Sequence, residues 1–400
     1  MKTILIYYED DCTRAPRVHK QLNALLTDFR VLLVTKRFDS KEKYNSNLRV
    51  ILLSSTDDFF TSSTKPSPFK SLIERVRRLL AGDFFKHPLE RNYWNAQLRN
   101  KIKFLSDYDY DCIITHHPSS LVLASELASL KDIPFIFNAH EYYSRQFEHK
   151  EDWVKNEKPA VDYLIQKYLP KASTTFCVGQ IIGETYINEF KIKDFVFIPN
   201  DKPYHQGEPK KTDTPVRIVH HGGCIRGRSI HKSIVMMEFL PENEYELHLM
   251  LMPVDKKYME ELVQMSKKYN HVFFHEPVKF EEIIPFLSTF DIGFFLLPPT
   301  NYNYLNCLPN KLYEFIQARL CIITSPNPEM SNLIKMNGLG MCSKDYSAKN
   351  MAKTIKSIST VQIDKFKEQV DSKARELSSE ITERKIKETV SALVLKDFII

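Results

Sequence analysis

The sequence predicts an α/β protein made of two doubly wound, Rossmann-like domains that face each other across a cleft. Short apolar segments rich in β-branched and aromatic residues alternate with longer segments of helical periodicity, which is typical of parallel sheets joined by helical crossovers. A polar segment containing prolines interrupts this series near the middle of the chain, as a linker would. With 400 residues, 43% of them hydrophobic, the chain is long enough to form two cores.

The first domain is predicted to span residues 1–200, followed by a linker at 201–215. Its predicted strands are at 2–8, 30–35, 49–53, 111–115, 134–138, 174–178 and 195–198. Helical segments lie between most of these strands. The linker contains Pro203, Pro209 and Pro215 among polar residues, and this composition favours turns and loops.

The second domain is predicted at residues 216–363, and a long helix at 364–400. The strands of this domain are predicted at 216–220, 245–251, 272–275, 292–297 and 321–324. The terminal segment is charged and has apolar residues at three- and four-residue spacing between 366 and 381. This spacing predicts one buried helix face, which we expect to pack back towards the first domain.

The composition indicates a soluble protein but does not identify its ligand. The net charge of +6 is mild, and alone it does not distinguish phosphates, nucleic acid and anionic lipid as partners. The 7 cysteines lack the paired spacing of zinc or redox sites. The sequence also lacks a signal-peptide pattern and an apolar segment long enough to cross a bilayer. We therefore expect a soluble, cytoplasmic protein.

The most informative segment is 308–340, at the predicted carboxyl edge of the second sheet. Pro309 suits the first turn of a helix, so we predict a helix at 309–319 whose free N–H groups form a phosphate site. Lys311 in that first turn is unfavourable for the helix dipole unless an anion lies opposite. Glu314 is placed to accept hydrogen bonds from ribose hydroxyls. The alternative is an amphipathic helix with a solvated lysine.

A glycine-containing loop, HHGGCIRGR, follows the first strand of the second domain. Gly222 and Gly223 allow the backbone to approach a ligand closely. Arg226 and Arg228 supply positive charge suited to a diphosphate. The alternative interpretation is a tight turn without a ligand.

In the first domain, polar residues follow the strand predicted at 134–138. His140 and Glu141 lie at the carboxyl end of this strand, where an acid, base or sugar-binding role is possible. His116 and His117 follow the preceding strand in the same way, and they are further candidates for lining the cleft. A charged surface loop is the alternative for this edge.

The segment 308–340 resembles the C-terminal signature of the retaining GT-B glycosyltransferases called glycosyl transferases group 1. The resemblance rests on a proline followed by Asn310, Lys311, Leu312, an aromatic residue and Glu314. It implies that Glu314 binds the ribose of a nucleotide. Asn306 stands where relatives often have a glutamate that contacts the donor sugar.

The same resemblance extends to the other two motifs. Gly222 and Arg228 have the six-residue spacing of a family glycine and a basic residue that holds the donor phosphates. Gly223 replaces the family's second arginine, and Arg226 is the candidate substitute for it. The segment NAHEYYSRQFE resembles the acceptor-domain segment, which implies that His140 lies beside the reacting sugar.

Two further features bear on the acceptor. Arg14 and Arg17 resemble the arginine-bearing loop that some relatives have after the first strand, and this implies contact with phosphate or an anionic acceptor. The region 65–103 is basic, and its segment 69–80 has one apolar face. This pattern predicts either an interfacial helix that docks on an anionic membrane or an ordinary packed helix.

The resemblance implies a metal-independent glycosyltransferase that needs no cofactor. It would transfer a sugar, with retention, from a nucleotide diphosphate sugar to a glycan or polyprenyl-linked acceptor, in surface polysaccharide synthesis. Nucleic acid is not an expected partner. Asp107, Asp109 and Asp111 resemble a metal-binding pair but precede a strand, away from the edge where ligands bind. A sugar-nucleotide epimerase and a catalytically silent sugar-binding scaffold remain alternatives, whereas a dehydrogenase is disfavoured because the glycine fingerprint is absent.

Overall fold

The computed structural model describes residues 1–13, 15–53, 89 and 93–395. The chain divides into two compact units. One consists of Met1–Ile198 with the chain from Glu383, and the other of Pro199–Thr382. Each unit has its own sheet with parallel strand pairs. The predicted fold class, two Rossmann-like α/β domains, is confirmed.

The first unit contains a seven-stranded sheet with the order β3-β2-β1-β4-β5-β6-β7. The strands are β1 (Thr3–Tyr7), β2 (Arg30–Thr35), β3 (Leu48–Leu52), β4 (Cys112–Thr115), β5 (Phe135–Ala139), β6 (Thr174–Cys177) and β7 (Phe195–Phe197). The described helices are α1 (Pro16–Leu25), α2 (Ala96–Ser106), α3 (Leu121–Lys131), α4 (Glu151–Asn156), α5 (Lys158–Tyr168) and α6 (Gln180–Phe190). The strand order reverses between β1 and β4, and ligands of doubly wound sheets gather at the carboxyl ends of such strands.

Apolar strands hold the first unit together. Every residue of β4 is buried, as expected for a parallel strand covered on both faces. Ile386, Val390 and Val394 come from the end of the chain and pack into the same core. Their four-residue spacing places them on one helix face.

The second unit contains a six-stranded sheet with the order β10-β9-β8-β11-β12-β13. The strands are β8 (Val216–Gly223), β9 (Tyr245–Met252), β10 (Val272–His275), β11 (Ile292–Phe295), β12 (Cys321–Thr324) and β13 (Gly340–Cys342). The helices are α7 (His231–Met236), α8 (Lys256–Ser266), α9 (Ile283–Leu287), α10 (Tyr302–Leu305), α11 (Asn310–Gln317), α12 (Pro328–Asn337), α13 (Ala348–Lys356) and α14 (Thr360–Ala374), followed by α15 (Ser379–Val394).

A glycine in β11 sets the position of α11. A Cβ atom at Gly293 would lie 2.4 Å from Cγ of Phe315, which is closer than atoms can approach. Because Gly293 has no side chain, the fully buried Phe315 ring of α11 packs directly on the strand. α11 is thereby held against the sheet that carries the candidate site.

The structure differs from the sequence prediction in three places. β13 is an additional strand that the sequence analysis did not predict. The single helix predicted at 364–400 is wrong, because α14 ends at Ala374 and α15 begins at Ser379. Residues 201–215, predicted as a linker, are part of the second unit. They are anchored there by contacts such as that of the Thr212 N–H, which donates to Asp364 Oδ1 at 2.9 Å.

Candidate functional site

At the end of β8, Gly222 allows the side chain of Lys311 to approach the backbone closely. Gly222 has a φ of +111°, which favours glycine over other residues. A Cβ atom at this position would lie 2.7 Å from Cε and 2.9 Å from Nζ of Lys311. Gly222 therefore provides both the backbone conformation and the space that place the Lys311 ammonium beside the strand end.

Lys311 is a buried cation that forms no ion pair with any residue described by the structure. The residue is 8% exposed, and its Nζ lies 5.0 Å from the centre of the Phe295 ring. No carboxylate among the described residues lies within ion-pairing distance of Nζ. Burial, together with the charge of Arg228, lowers the pKa of Lys311 to about 8. A bound anion would relieve this cost, since burying a charge is unfavourable unless it is paired.

Arg228 and the first turn of α11 add positive charge near Lys311. α11 begins at Asn310 after the extended Pro309, and no side chain in the described part of the chain caps this helix end. The Leu312 N–H donates to the Pro309 carbonyl oxygen at 3.1 Å, whereas the N–H groups that precede it in the first turn lack intrahelical acceptors and carry partial positive charge. Arg228 is half-buried, and its Nη1 donates to the Gly223 carbonyl oxygen at 3.3 Å. Arg228, Lys311 and the first turn of α11 form what we call the cationic cluster.

Arg226 has a different environment from Arg228, although both lie in the 3₁₀ turn Arg226–Arg228. Its Nη1 and Nη2 donate to the Glu261 carboxylate at 2.7 and 2.9 Å. The guanidinium also lies 4.6 Å from the centre of the Tyr258 ring. The side chain is exposed and engaged by α8, so the structure does not gather it into the cationic cluster.

Glu314 lies one turn further along α11 and is held by two basic side chains. Lys202 Nζ lies 2.9 Å from Oε1, and His221 Nε2 lies 3.2 Å from Oε2. The second contact is not well aligned for a hydrogen bond. Burial favours the neutral acid, but the polar contact of His221 and the charge of Lys202 outweigh it and lower the pKa of Glu314 to about 2. Glu314 is therefore an ionised acceptor for hydroxyl groups.

The loop after β11 is fixed by a buried asparagine. Asn327 Nδ2 donates to the carbonyl oxygens of Leu297 and Tyr304, at 3.2 and 2.8 Å. This fixes the segment that carries Asn306, which is 4% exposed and donates from Nδ2 to the Tyr302 carbonyl oxygen at 3.2 Å. The oxygen of the Asn306 amide remains able to accept a hydrogen bond.

In the first unit, two histidines meet at the carboxyl ends of β4 and β5. His116 Nδ1 lies 2.9 Å from His140 Nε2, and His116 Nε2 lies 3.0 Å from Gln21 Oε1. Burial is the main cause that lowers the pKa of both histidines well below the ordinary value, and the charge of Arg17 acts in the same direction. Both rings are neutral at physiological pH.

Arg17 is linked to this histidine pair through Asn138, which lies 3.4 Å from His116 Nδ1. The residue is 7% exposed, and its Nη1 donates to Asn138 Oδ1 at 2.7 Å. Its Nη2 donates to the Ile198 carbonyl oxygen at 3.4 Å. Arg17 was predicted to contact phosphate or an anionic acceptor, whereas in the structure its guanidinium is committed to the interior of the first unit. Arg14 lies outside the described residues.

Glu141 is a half-buried carboxyl group that directly follows His140 in sequence. Burial raises its pKa to about 7, although the hydrogen bond from Gln146 Nε2, at 2.6 Å, acts in the opposite direction. The backbone of this segment is anchored by Tyr186, whose hydroxyl donates to the Glu141 carbonyl oxygen at 3.0 Å. A carboxyl group that titrates near neutrality can take part in acid or base catalysis.

His117 lies beside the histidine pair. Its ring centre is 5.5 Å from that of His140, and its Nε2 is 3.7 Å from Asp10 Oδ2. Burial lowers the pKa of His117, while the charges of Glu9 and Asp10 oppose this shift. The ring is half-buried at the same sheet edge.

The described residues contain neither a metal-binding cluster nor a helix that could cross a membrane. No group of three or more His, Cys, Asp or Glu residues is arranged to hold a metal ion within the described ranges. Asp111 instead accepts a hydrogen bond from the Thr3 N–H at 2.8 Å and pairs with Lys2. In the same part of the chain, no helix is both long and apolar enough to span a membrane.

Residues 45–200 match the family model of Glycosyltransferase Family 4. The chain is also similar to solved structures over nearly its whole length. Anabaena HepE in complex with UDP has a TM-score of 0.70 and 12% identity, covering 98% of this chain and 100% of that chain. HepE in complex with UDP-glucose has a TM-score of 0.68 and 13% identity, with coverage of 98% and 100%. Sucrose-phosphate synthase from Thermosynechococcus elongatus has a TM-score of 0.69 and 14% identity, with coverage of 98% and 99%.

The chain has the GT-B glycosyltransferase fold. The resemblance predicted from the sequence is thus confirmed at the level of the fold. No curated protein sequence matches the chain.

Several residues predicted in the segment 308–340 lie on one helix. Lys311 and Glu314 are buried on α11, and Gly222 contacts Lys311 as described above. Pro309 is the residue that precedes α11 rather than part of its first turn. Leu312 is fully buried, which suits a packing role.

Sequence reasoning did not select three residues that the structure places at the two sites. Lys202 and His221 hold Glu314, and Gln21 contacts His116 beside His140. His221 precedes a glycine at a strand end, so its position alone was a usable signal. Lys202 and Gln21 carry no such signal.

Proposed function

We propose that this protein transfers a sugar from a nucleotide diphosphate sugar to a glycan or polyprenyl-linked acceptor. The observation that carries the proposal is the buried ammonium of Lys311, which has no carboxylate within pairing distance among the described residues. It lies beside Gly222 at an uncapped helix start. Such a combination of charge, free N–H groups and glycine suits a diphosphate.

The cationic cluster, Glu314 and Asn306 would each bind a different part of the donor. Arg228, Lys311 and the first turn of α11 would hold the diphosphate and stabilise the charge that develops as it leaves. Glu314 would accept hydrogen bonds from the ribose hydroxyls. The amide of Asn306 would bind a hydroxyl of the donor sugar. HepE was solved with UDP and with UDP-glucose, which supports a uridine nucleotide as the first donor to test.

The first unit would supply the groups that act on sugar hydroxyls. His140 is a neutral imidazole at the carboxyl end of β5, and we assign it to a hydroxyl of the donor sugar or acceptor. Glu141, with a pKa of about 7, is the second candidate for acid or base chemistry. We further propose transfer with retention, without a metal, in surface polysaccharide synthesis. The basic region at 65–103, proposed to dock on anionic membrane, lies mostly outside the described residues.

Binding and turnover can be tested separately. Calorimetric titration with UDP, ADP and GDP, and then with their sugar conjugates, measures donor binding. The anomeric configuration of the product, followed by NMR with and without a chelator, tests retention and metal independence. A changed sugar in the absence of acceptor would favour an epimerase, and donor binding without turnover on any glycan or polyprenyl-linked acceptor would favour a sugar-binding scaffold. Failure to bind any nucleoside diphosphate would overturn the proposal.

A further inference from the structure

The orientation of the Asn138 amide follows from its arginine partner. Arg17 has only donors, so the Asn138 atom that lies 2.7 Å from Arg17 Nη1 must be the oxygen. The NH₂ group of Asn138 is then on the other side. It lies 3.4 Å from His116 Nδ1, which therefore faces a donor.

This contact decides where His116 carries its proton. A neutral imidazole has one N–H and one acceptor nitrogen. With Nδ1 facing the Asn138 NH₂ group, the proton lies on Nε2, which donates to Gln21 Oε1 at 3.0 Å. The opposite tautomer could donate from Nδ1 to His140 Nε2, 2.9 Å away, but it would turn the same N–H towards the Asn138 NH₂ group and leave the lone pair of Nε2 against Gln21 Oε1.

The proton on His116 Nε2 also fixes the tautomer of His140. His116 Nδ1 is an acceptor, and His140 Nε2 lies 2.9 Å from it, so His140 donates from Nε2. Nδ1 of His140 then carries a lone pair. No described residue makes a hydrogen bond with His140 Nδ1, and the side chain is only partly buried.

We propose that Arg17, Asn138 and His116 are positioning residues that hold His140 as the Nε2–H tautomer, so that its Nδ1 accepts a hydrogen bond from a sugar or acceptor hydroxyl. The identity of the hydroxyl rests on the proposed function, whereas the tautomer follows from the contacts alone. Arg17 serves this arrangement in a second way, because its positive charge disfavours protonation of both imidazoles.

Two variants next to the His116 ring test whether these hydrogen bonds set the tautomer of His140. Asn138→Asp and Gln21→Glu each replace an amide by a carboxylate of nearly equal size next to His116. The carboxylate of Asn138→Asp could only accept, so it would pull the His116 proton to Nδ1 and reverse the His140 tautomer. The carboxylate of Gln21→Glu would accept from Nε2 and retain the original tautomers. The pair therefore separates the tautomer from the added negative charge.

The primary measurement is ¹⁵N NMR of the histidine rings of the full chain at about pH 8, which requires no turnover. We expect Nε2–H on His116 and His140 in the wild type and in Gln21→Glu, and Nδ1–H on His116 in Asn138→Asp. Nδ1–H on either ring of the wild type would overturn the inference, as would the same His116 tautomer in both variants.

Kinetics provide the second measurement once a sugar acceptor is known. We expect kcat of Asn138→Asp to be about tenfold below that of Gln21→Glu, the value of one hydrogen bond, with KM for the donor nearly equal. Equal kcat values would contradict a positioning role. The NMR result does not depend on activity. Absence of sugar transfer would therefore count against the proposed function, whereas the NMR spectra alone would still test the tautomer assignment.

Discussion

Lys202 Nζ lies 2.9 Å from Glu314 Oε1, and both side chains are 7% exposed. His221 lies against the other carboxylate oxygen. The carboxylate is thus ionised and oriented before a ligand arrives, while each oxygen still has a lone pair for a further hydrogen bond. Because the acceptor is already fixed in place, binding requires little reorganisation of this side chain.

The first prediction concerns nucleotide affinity. Glu314→Ala removes the proposed acceptor of two hydroxyl hydrogen bonds, and hydrogen bonds to charged groups contribute roughly 1.5 to 3 kcal/mol each. We expect UDP to bind at least about tenfold more weakly, as measured by calorimetry. Glu314→Gln is the matched control, because it keeps one acceptor oxygen and should lose less affinity. Unchanged UDP affinity in a folded Glu314→Ala protein would refute the ribose assignment.

The second prediction concerns the stability of the same carboxylate. The pKa of Glu314 is about 2 in the folded protein, below its ordinary value of 4.5. The ionised form therefore stabilises the fold above about pH 4.5, and this stabilisation is lost as the pH falls towards 2. The shift corresponds to about 3 kcal/mol.

Denaturation of wild type and Glu314→Gln from pH 2 to 6 measures this contribution. The difference in unfolding free energy between the two proteins should be largest at pH 6 and should shrink by about 3 kcal/mol at pH 2. At pH 2 the protonated glutamate resembles glutamine, so the reason for the difference disappears. A difference that does not change with pH would show that Lys202 and His221 do not depress this pKa.

The fold was largely predictable because its strands are distinctive. A strand buried on both faces of a parallel sheet is a run of apolar residues, and all twelve predicted strands are present. β13 was missed because it has three residues and depends on Gly340, whose φ is +154° and whose Cβ would lie 1.9 Å from the Ile322 carbonyl oxygen. The break before α15 was missed because the Ser379 N–H donates to the Lys202 carbonyl oxygen, a contact distant in sequence.

The candidate site was predictable where it depends on local pattern. Lys311 and Glu314 lie on one short helix with a recognisable start, and Gly222 ends a strand. Lys202 lies in a polar segment that the sequence predicts to be a linker. Its burial against Glu314 depends on packing between parts of the second unit that are distant in sequence. The periodicity of apolar residues does not indicate such packing. Arg17 was assigned to a ligand because it resembles an arginine in a loop of some relatives, whereas its buried contact with Asn138 joins residues distant in sequence.

The third prediction compares adjacent glycines. A Cβ atom at Gly222 would overlap Lys311, whereas at Gly223 the nearest atom would be 3.4 Å away. We expect Gly222→Ala to lower the unfolding free energy by at least about 1 kcal/mol because of its positive φ, and to weaken UDP binding by moving Lys311. Gly223→Ala should cost less in both measurements. Equal effects of the two substitutions would contradict the close approach at Gly222.

The fourth prediction compares two arginines of one turn. Arg228 has no carboxylate partner among the described residues, whereas Arg226 is paired with Glu261. We expect Arg228→Ala to weaken UDP binding about tenfold, the value of one charge-assisted hydrogen bond, and Arg226→Ala to weaken it less. Thermal denaturation of both variants checks that folding is retained. A larger loss for Arg226→Ala would support the sequence-based expectation that Arg226 holds phosphate in place of the missing arginine.

The last prediction concerns the pH dependence of binding. The pKa of Lys311 is about 8 without ligand, so the ammonium that would pair with a diphosphate is lost as the pH rises above 8. Since only the charged form attracts the anion, UDP affinity should fall by about tenfold between pH 7 and pH 9. Lys311→Arg keeps its charge over this range, because arginine does not deprotonate in proteins, and its affinity should stay constant.

Proton uptake gives an independent measure of the same event. A bound diphosphate raises the pKa of the ammonium, so UDP binding near pH 8 should draw a proton from solution. Calorimetry in two buffers of different ionisation enthalpy measures this uptake. We expect a fraction of a proton for wild type and none for Lys311→Arg. Constant affinity from pH 7 to 9 without proton uptake in the wild type would mean that Lys311 does not contact the phosphates, and the proposed diphosphate site would then lose the observation on which it rests.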